Sequence, residues 1–282
     1  GAGERLRRRS ETYAARKSAA CNEADNFFQK PGEVKMAGHN KWSKIKHAKA
    51  ITDAKKGKAF TKVTREIMVA AKEGGGDPGS NFRLRSAIQA GKDVNMPTEN
   101  IERAIKKGTG DIEGVNYESI TYEGYGPQGV AILVACLTDN KNRAAQDVRT
   151  IFIKNNGSPA SAGSVSFMFE KKGYFFVLKS VSTEDKLMEL ALNAGAEDFA
   201  VTEEGFEIKT APSDFGAIQH ALETAGIKPE VKELTMIPKN MVAVLPENAK
   251  AVMELIEALE ENDDVQNVYS NAEIPDEVLK NL

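Results

Sequence analysis

At Gly114 the spacing of apolar residues changes from a repeat of about 3.6 to runs and alternations of strand length. The chain must therefore fold in two styles. Over 36–113 the pattern predicts a small helical bundle. Ile45, Ala48 and Ile51 recur at helical spacing, and across 57–72 Phe60, Val63, Ile67, Ala70 and Ala71 share one face. Gly74-Gly75-Gly76-Asp77-Pro78 stops that helix, a third is expected at 81–93, and Pro97 opens a fourth with Gly108 just past its end.

After Gly114, β-rich runs at 117–123 and 129–138 flank Gly124-Tyr125-Gly126-Pro127-Gln128. A helix at 143–155 and a strand at 164–170 follow. From Gly173 the expected order is strand 174–179, helix 184–193, strands 198–202 and 206–209, helix 213–224 and strand 230–236. That is βαββαβ, the split motif of ferredoxin-like domains. A strand at 241–245, a helix at 249–261 and a strand at 265–270 complete the chain. The predicted class is multidomain, α then α+β. A helical domain (36–113) precedes an α+β domain (114–171 and 239–282), with a ferredoxin-like domain (172–238) inserted in it.

Residues 1–35 lack periodicity and read as a disordered extension. They carry Arg5, Arg7, Arg8 and Arg9, but Glu4, Glu11, Glu23, Asp25 and Glu33 argue against a transit peptide. No run of about 18 uncharged apolar residues predicts a membrane span. Two cysteines, Cys21 and Cys136, without a C-x-x-C pair fit a reducing cytosol better than a disulfide scaffold or zinc site.

The net charge of -3 conceals a segregation of sign. Residues 36–110 hold 16 Lys and Arg against 7 Asp and Glu, whereas 111–282 hold 14 against 29. A basic lobe on an acidic body points to a polyanion partner, or else to attraction between the two lobes. Over 36–65 the cations are Lys41, Lys44, Lys46, Lys49, Lys55, Lys56, Lys58, Lys62 and Arg65, opposed only by Asp53. Such a surface draws phosphates by releasing condensed counterions. Trp42, His39 and His47 lie among the lysines as stacking candidates, Trp42 serving equally well as a bundle anchor. Lysine outnumbers arginine eight to one there, which suits backbone contact better than bidentate reading of bases.

Motifs for other chemistry are weak. Gly124-x-Gly126-x-x-Gly129 matches a dinucleotide fingerprint but runs into a strand, so it reads as a hairpin connection. The Gly74–Gly76 triplet lacks the Gly-Lys-Ser/Thr of a P-loop. Asp139-Asn140-Lys141-Asn142-Arg143 reads first as a helix cap and second as an acid–base or anion site. His220 reads as structural, Cys136 as an inert core thiol, and Glu260, Glu261, Asp263 and Asp264 as a solvated charge run. No catalytic residues, metal site or cofactor are expected.

Several stretches in order resemble the YebC/PmpR family. They are Met36-Ala37-Gly38-His39-Asn40-Lys41-Trp42-Ser43-Lys44-Ile45-Lys46-His47, Gly57-Lys58-x-Phe60-Thr61-Lys62, Gly74 to Pro78, Asn95-Met96-Pro97, Tyr122 to Pro127 and Asp139 to Arg143. The resemblance spans 36–282. It implies three domains and a cytoplasmic, DNA-binding regulator of transcription, or, by likeness to a mitochondrial branch, a translation factor acting on messenger RNA or the ribosome. The expected function is thus a non-enzymatic nucleic-acid-binding regulator whose acidic domains meet a protein partner. Residues 1–35 leave organellar targeting open.

Overall fold

The structure, a computed structural model, describes residues 53–274. Expectations placed on His39, Lys41, Trp42, Lys44, Lys46, His47 and Lys49 lie outside the described residues, as do those on 1–35. Lys55 and Lys56 fall in the first described helix, their side chains outside what is described.

Among the described residues three helices form the first unit: α1 (Asp53–Gly74), α2 (Phe82–Asp93) and α3 (Thr98–Thr109). The stripe Ile67, Ala70 and Ala71 is buried with Leu84, Ala87, Ile101 and Ala104. Asn81 joins α1 to α2. Its Oδ1 accepts from Leu84 N at 3.0 Å, and its amide donates to Ala70 O at 2.7 Å and Gly75 O at 2.8 Å. Two expectations fail here. Gly57 does not begin a helix but lies within α1. Gly108 does not follow α3 but lies inside it, where a Cβ would collide with the Met68 carbonyl of α1. The left-handed cap is Gly110, at φ 87°.

The first sheet has the order β3-β1-β2-β9. Strands β1 (Glu118–Tyr125) and β2 (Ala131–Thr138) form an antiparallel hairpin, pairing Tyr125 with Ala131. The three-glycine segment is indeed their connection. β3 (Ser158–Ala160) and β9 (Val265–Ser270) flank them. Helices α4 (Lys141–Lys154) and α7 (Pro246–Glu261) cover one face, burying Ile132, Val134, Cys136, Phe152, Leu255 and Leu259. Ala131 and Leu133 on the other face pack against Val165 and Phe169. The strand expected at 241–245 shrinks to β8 (Val242–Ala243), which pairs parallel with β10 (Ala272–Glu273).

The second sheet is antiparallel and draws on β4 (Phe169–Leu178), β5 (Ala196–Val201), β6 (Gly205–Thr210) and β7 (Val231–Pro238), in the order β5-β6-β4-β7. Helices α5 (Glu184–Asn193) and α6 (Phe215–Thr224) share a core with Phe175, Val177, Phe206 and Ile208. This order with two crossing helices is the ferredoxin-like arrangement. The separate strands expected at 164–170 and 174–179 are one strand, preceded by a 3-10 turn at Ser166–Met168. Gly173 does not break it. A Cβ there would lie 2.6 Å from Phe215 Cδ2 and 2.6 Å from Thr210 Cγ2, so glycine admits a close neighbour.

Candidate nucleic-acid interface

Three of the cations singled out from the sequence have described side chains, and all three point at the chain itself. Lys58, Lys62 and Arg65 recur at i, i+4 and i+7 on α1, one stripe of a helix. Lys58 Nζ donates to Glu261 O at 3.1 Å and Lys62 Nζ to Glu260 O at 2.7 Å. Those carbonyls lie in the last turn of α7, where the helix carries partial negative charge. Arg65 Nη1 donates to Asp264 Oδ1 at 2.8 Å, to Leu137 O at 3.3 Å and to Asp263 O. Its guanidinium also lies 5.1 Å from the centre of the Tyr117 ring. Assigning these three to a free polyanion face is corrected: attraction between basic and acidic lobes, the other sequence reading, governs them.

Asp264 was expected in a solvated acid run, yet it is 3% exposed. Its Oδ2 accepts from Arg143 Nη2 at 2.8 Å and Thr138 Oγ1 at 3.1 Å. Its hydrogen bonds to Asp264 first, and to Asp139 second, raise Arg143 above the already high guanidinium range. The Arg143 hydrogen bond in turn holds Asp139 below the usual carboxylate range. Asn140 caps α4, its Oδ1 accepting from Arg143 N at 3.1 Å. The 139–143 cluster thus behaves as a cap and an ion-pair network. A cleft of about 360 Å³ at this seam is lined by Arg65 and Arg143 but by four aspartates, Asp139, Asp147, Asp263 and Asp264. Its charge repels phosphate.

Cys136 is buried, and burial, then Asp264, pushes its thiol up to about 12. His220 is exposed on α6. Among the described residues no group of three His, Cys, Asp or Glu is placed to hold a metal ion, and no helix is long and apolar enough to cross a membrane.

On the far side of Arg65 and Tyr117 lies a groove of about 270 Å³ between α1 and α3. Positions 60, 61, 64, 65 and 68 form one wall and 100, 103, 104 and 107 the other, each a single helical stripe. Its charged residues are Arg65, Arg103 and Lys107, with no carboxylate. Two other cations of this unit are engaged, Arg83 with Glu66 and Glu73 and Lys72 with Asn116. Reading from the sequence missed Arg103 and Lys107, because they stand outside the dense run at 36–65. Their i, i+4 spacing opposite Ile101 and Ile105 was the available signal.

A family model described as the TACO1/YebC protein N-terminal domain matches residues 40–111, and one described as the TACO1/YebC second and third domain matches 117–272. A probable transcriptional regulatory protein of Desulforapulum autotrophicum is 58% identical over 245 residues, 86% of this chain and 98% of that one. One from Geobacter sulfurreducens is 55% identical over 247 residues, 88% of this chain and 100% of its own. The crystal structure of a conserved hypothetical protein from Aquifex aeolicus superposes with a TM-score of 0.73 at 44% identity, covering 83% of this chain and 99% of that one.

Proposed function

Because the chain belongs to the TACO1/YebC family, we propose that it is a non-enzymatic regulator of gene expression that holds nucleic acid on its helical unit. The relatives named probable transcriptional regulatory proteins support transcription as the setting, and duplex DNA is our reading of the polyanion. The observation that carries the reading is the charge of 36–110, 16 cations to 7 acids, joined to a body that is acidic. Lys41, Lys44, Lys46, Lys49, Lys55 and Lys56 supply phosphate contacts, and Trp42 and His47 stack. Lys58, Lys62 and Arg65 fix the basic unit to the body. The ferredoxin-like unit is read as an insertion in the first α+β domain, the acidic surface as the seat of a protein partner, and the cytoplasm as the compartment.

The test uses the full chain with Lys41, Lys44, Lys46 and Lys49 changed to Glu, titrated with duplex DNA at several salt concentrations. Affinity should collapse, with a shallower salt slope. Undiminished affinity overturns the assignment. A second reading, a messenger-RNA- or ribosome-associated translation factor, is favoured by the eight-to-one excess of lysine over arginine at 36–65. Competition between duplex DNA and purified ribosomes at fixed ionic strength separates the two.

A further inference from the structure

The groove between α1 and α3 differs from the seam beside it in the sign of its charge. Its rim carries Arg103 and Lys107, both exposed. Neither forms an ion pair among the described residues. They stand one turn apart, about 6 Å along the helix, comparable to a step of an extended sugar–phosphate backbone. Phe60 and Tyr117, half-buried, offer ring surface to a base. A cationic track beside aromatic platforms is how single strands are held without sequence preference. A duplex is read differently: the protein supplies a protruding helix or ribbon and the nucleic acid supplies the groove. Here the protein is concave, and about 270 Å³ admits one nucleotide unit rather than a double helix.

Two threonines point to the kind of strand. Thr64 Oγ1 donates to Phe60 O at 2.7 Å and Thr61 Oγ1 to Gly57 O at 3.1 Å. Both residues line the groove, and with their protons given to α1 carbonyls their oxygens keep lone pairs that can accept. Along its backbone, RNA has a hydroxyl proton to give, at the 2′ position; DNA has none. We propose that the α1–α3 groove seats a single strand of RNA, with phosphates on Arg103 and Lys107 and 2′-hydroxyls on Thr61 and Thr64. This rests on the reading that the helical unit holds nucleic acid, and names the surface and the strand.

The test is fluorescence anisotropy of the full chain with a labelled 12-nucleotide uridine oligomer, the matching deoxyuridine oligomer and a DNA duplex, all at 0.15 M salt. Each phosphate contact on a single strand contributes a slope of about 0.7, hence about fourfold at that salt. Arg103→Gln with Lys107→Gln should weaken RNA binding about tenfold and flatten the slope by about 1.4. Thr61→Val with Thr64→Val should bring RNA affinity down to that of the DNA strand and leave the latter unchanged. Thiouridine crosslinks on the unsubstituted chain should map to Phe60, Tyr117 or the 100–107 stretch, which keeps the proposal testable if a variant misfolds.

If Arg103→Gln with Lys107→Gln binds RNA normally while Gln at Lys41, Lys44, Lys46 and Lys49 abolishes binding, the groove is wrong and the nucleic-acid reading stands. If the unsubstituted chain binds no oligomer or duplex, both fall. Equal losses for duplex and strand, crosslinks solely outside the groove, or displacement of the RNA by an acidic peptide overturn the proposal.

Discussion

Arg65 and Arg143 grip opposite oxygens of one buried carboxylate: each places a guanidinium nitrogen 2.8 Å from Asp264, on Oδ1 and Oδ2 respectively. Arg65 belongs to the helical unit, whereas Arg143 and Asp264 belong to the first α+β unit. The carboxylate therefore ties the basic lobe to the acidic body. Removing one partner of a buried ion pair strands the other charge, typically at about 3–5 kcal/mol. Arg143 retains 45% exposure and can rehydrate, so the lower end applies. Asp264→Ala should destabilise by about 3 kcal/mol and speed tryptic cleavage at Lys106 and Lys107, in the last turn of α3. Lys58→Ala, losing an exposed contact, should change stability by less than about 1 kcal/mol. Indistinguishable melting and proteolysis of Asp264→Ala and the parent would contradict this picture.

That carboxylate shows where sequence reading stops. The stripe on α1, the β1–β2 hairpin and the βαββαβ rhythm are legible because each is a periodicity within one element. Asp264 looked solvated because its partners, Arg65 and Arg143, are 199 and 121 residues away. β3 and β10 span three and two residues, too short for alternation to register. Gly108 and Gly173 looked like punctuation, since the atoms that require a missing Cβ lie on other elements. The lysine run was legible as charge, but the direction of Lys58, Lys62 and Arg65 depends on where α7 ends.

Two glycines of α1 and α3 should respond oppositely to alanine. In an open helix position, Gly→Ala gains up to about 1 kcal/mol. At Gly57 a Cβ meets nothing within 4 Å, so Gly57→Ala should stabilise. At Gly108 it would meet the Met68 carbonyl, and Ala71 Cβ at 2.8 Å, so the helices must part. Gly108→Ala should cost about 1–3 kcal/mol, as overpacked sites do. Denaturant titration followed by circular dichroism measures both signs, and a shared sign would show that the crossing is not tight.

The Cys136 thiol should be inert in the folded chain. Burial and the nearby Asp264 charge push its pKa up to about 12, against about 8.5 for a free cysteine. Thiolate is then scarce at pH 8, and reagent access is blocked as well. In a Cys21→Ser variant, which leaves Cys136 alone, a disulfide exchange reagent should label no thiol until denaturant is added. Full labelling of the native variant within minutes would contradict the burial of this strand.

Glu123 holds the entry to β4. Its carboxylate accepts from Gly163 N at 2.8 Å, Val165 N at 2.6 Å and Ser166 N at 3.0 Å. Burial alone raises its pKa, but the three backbone donors outweigh burial and leave it below its ordinary value of 4.5. A group whose folded pKa is depressed stabilises fully above its unfolded value, and that contribution disappears as pH falls through the folded one. Glu123→Gln should therefore cost about 1–3 kcal/mol at pH 7, and the gap between variant and parent should close as the solution is acidified below the folded pKa. Hydrogen exchange at the Val165 and Ser166 amides should quicken in the variant at pH 7 and converge with the parent at low pH. A gap that stays constant through the acid range would mean that the fit of the side chain, not its negative charge, secures the loop.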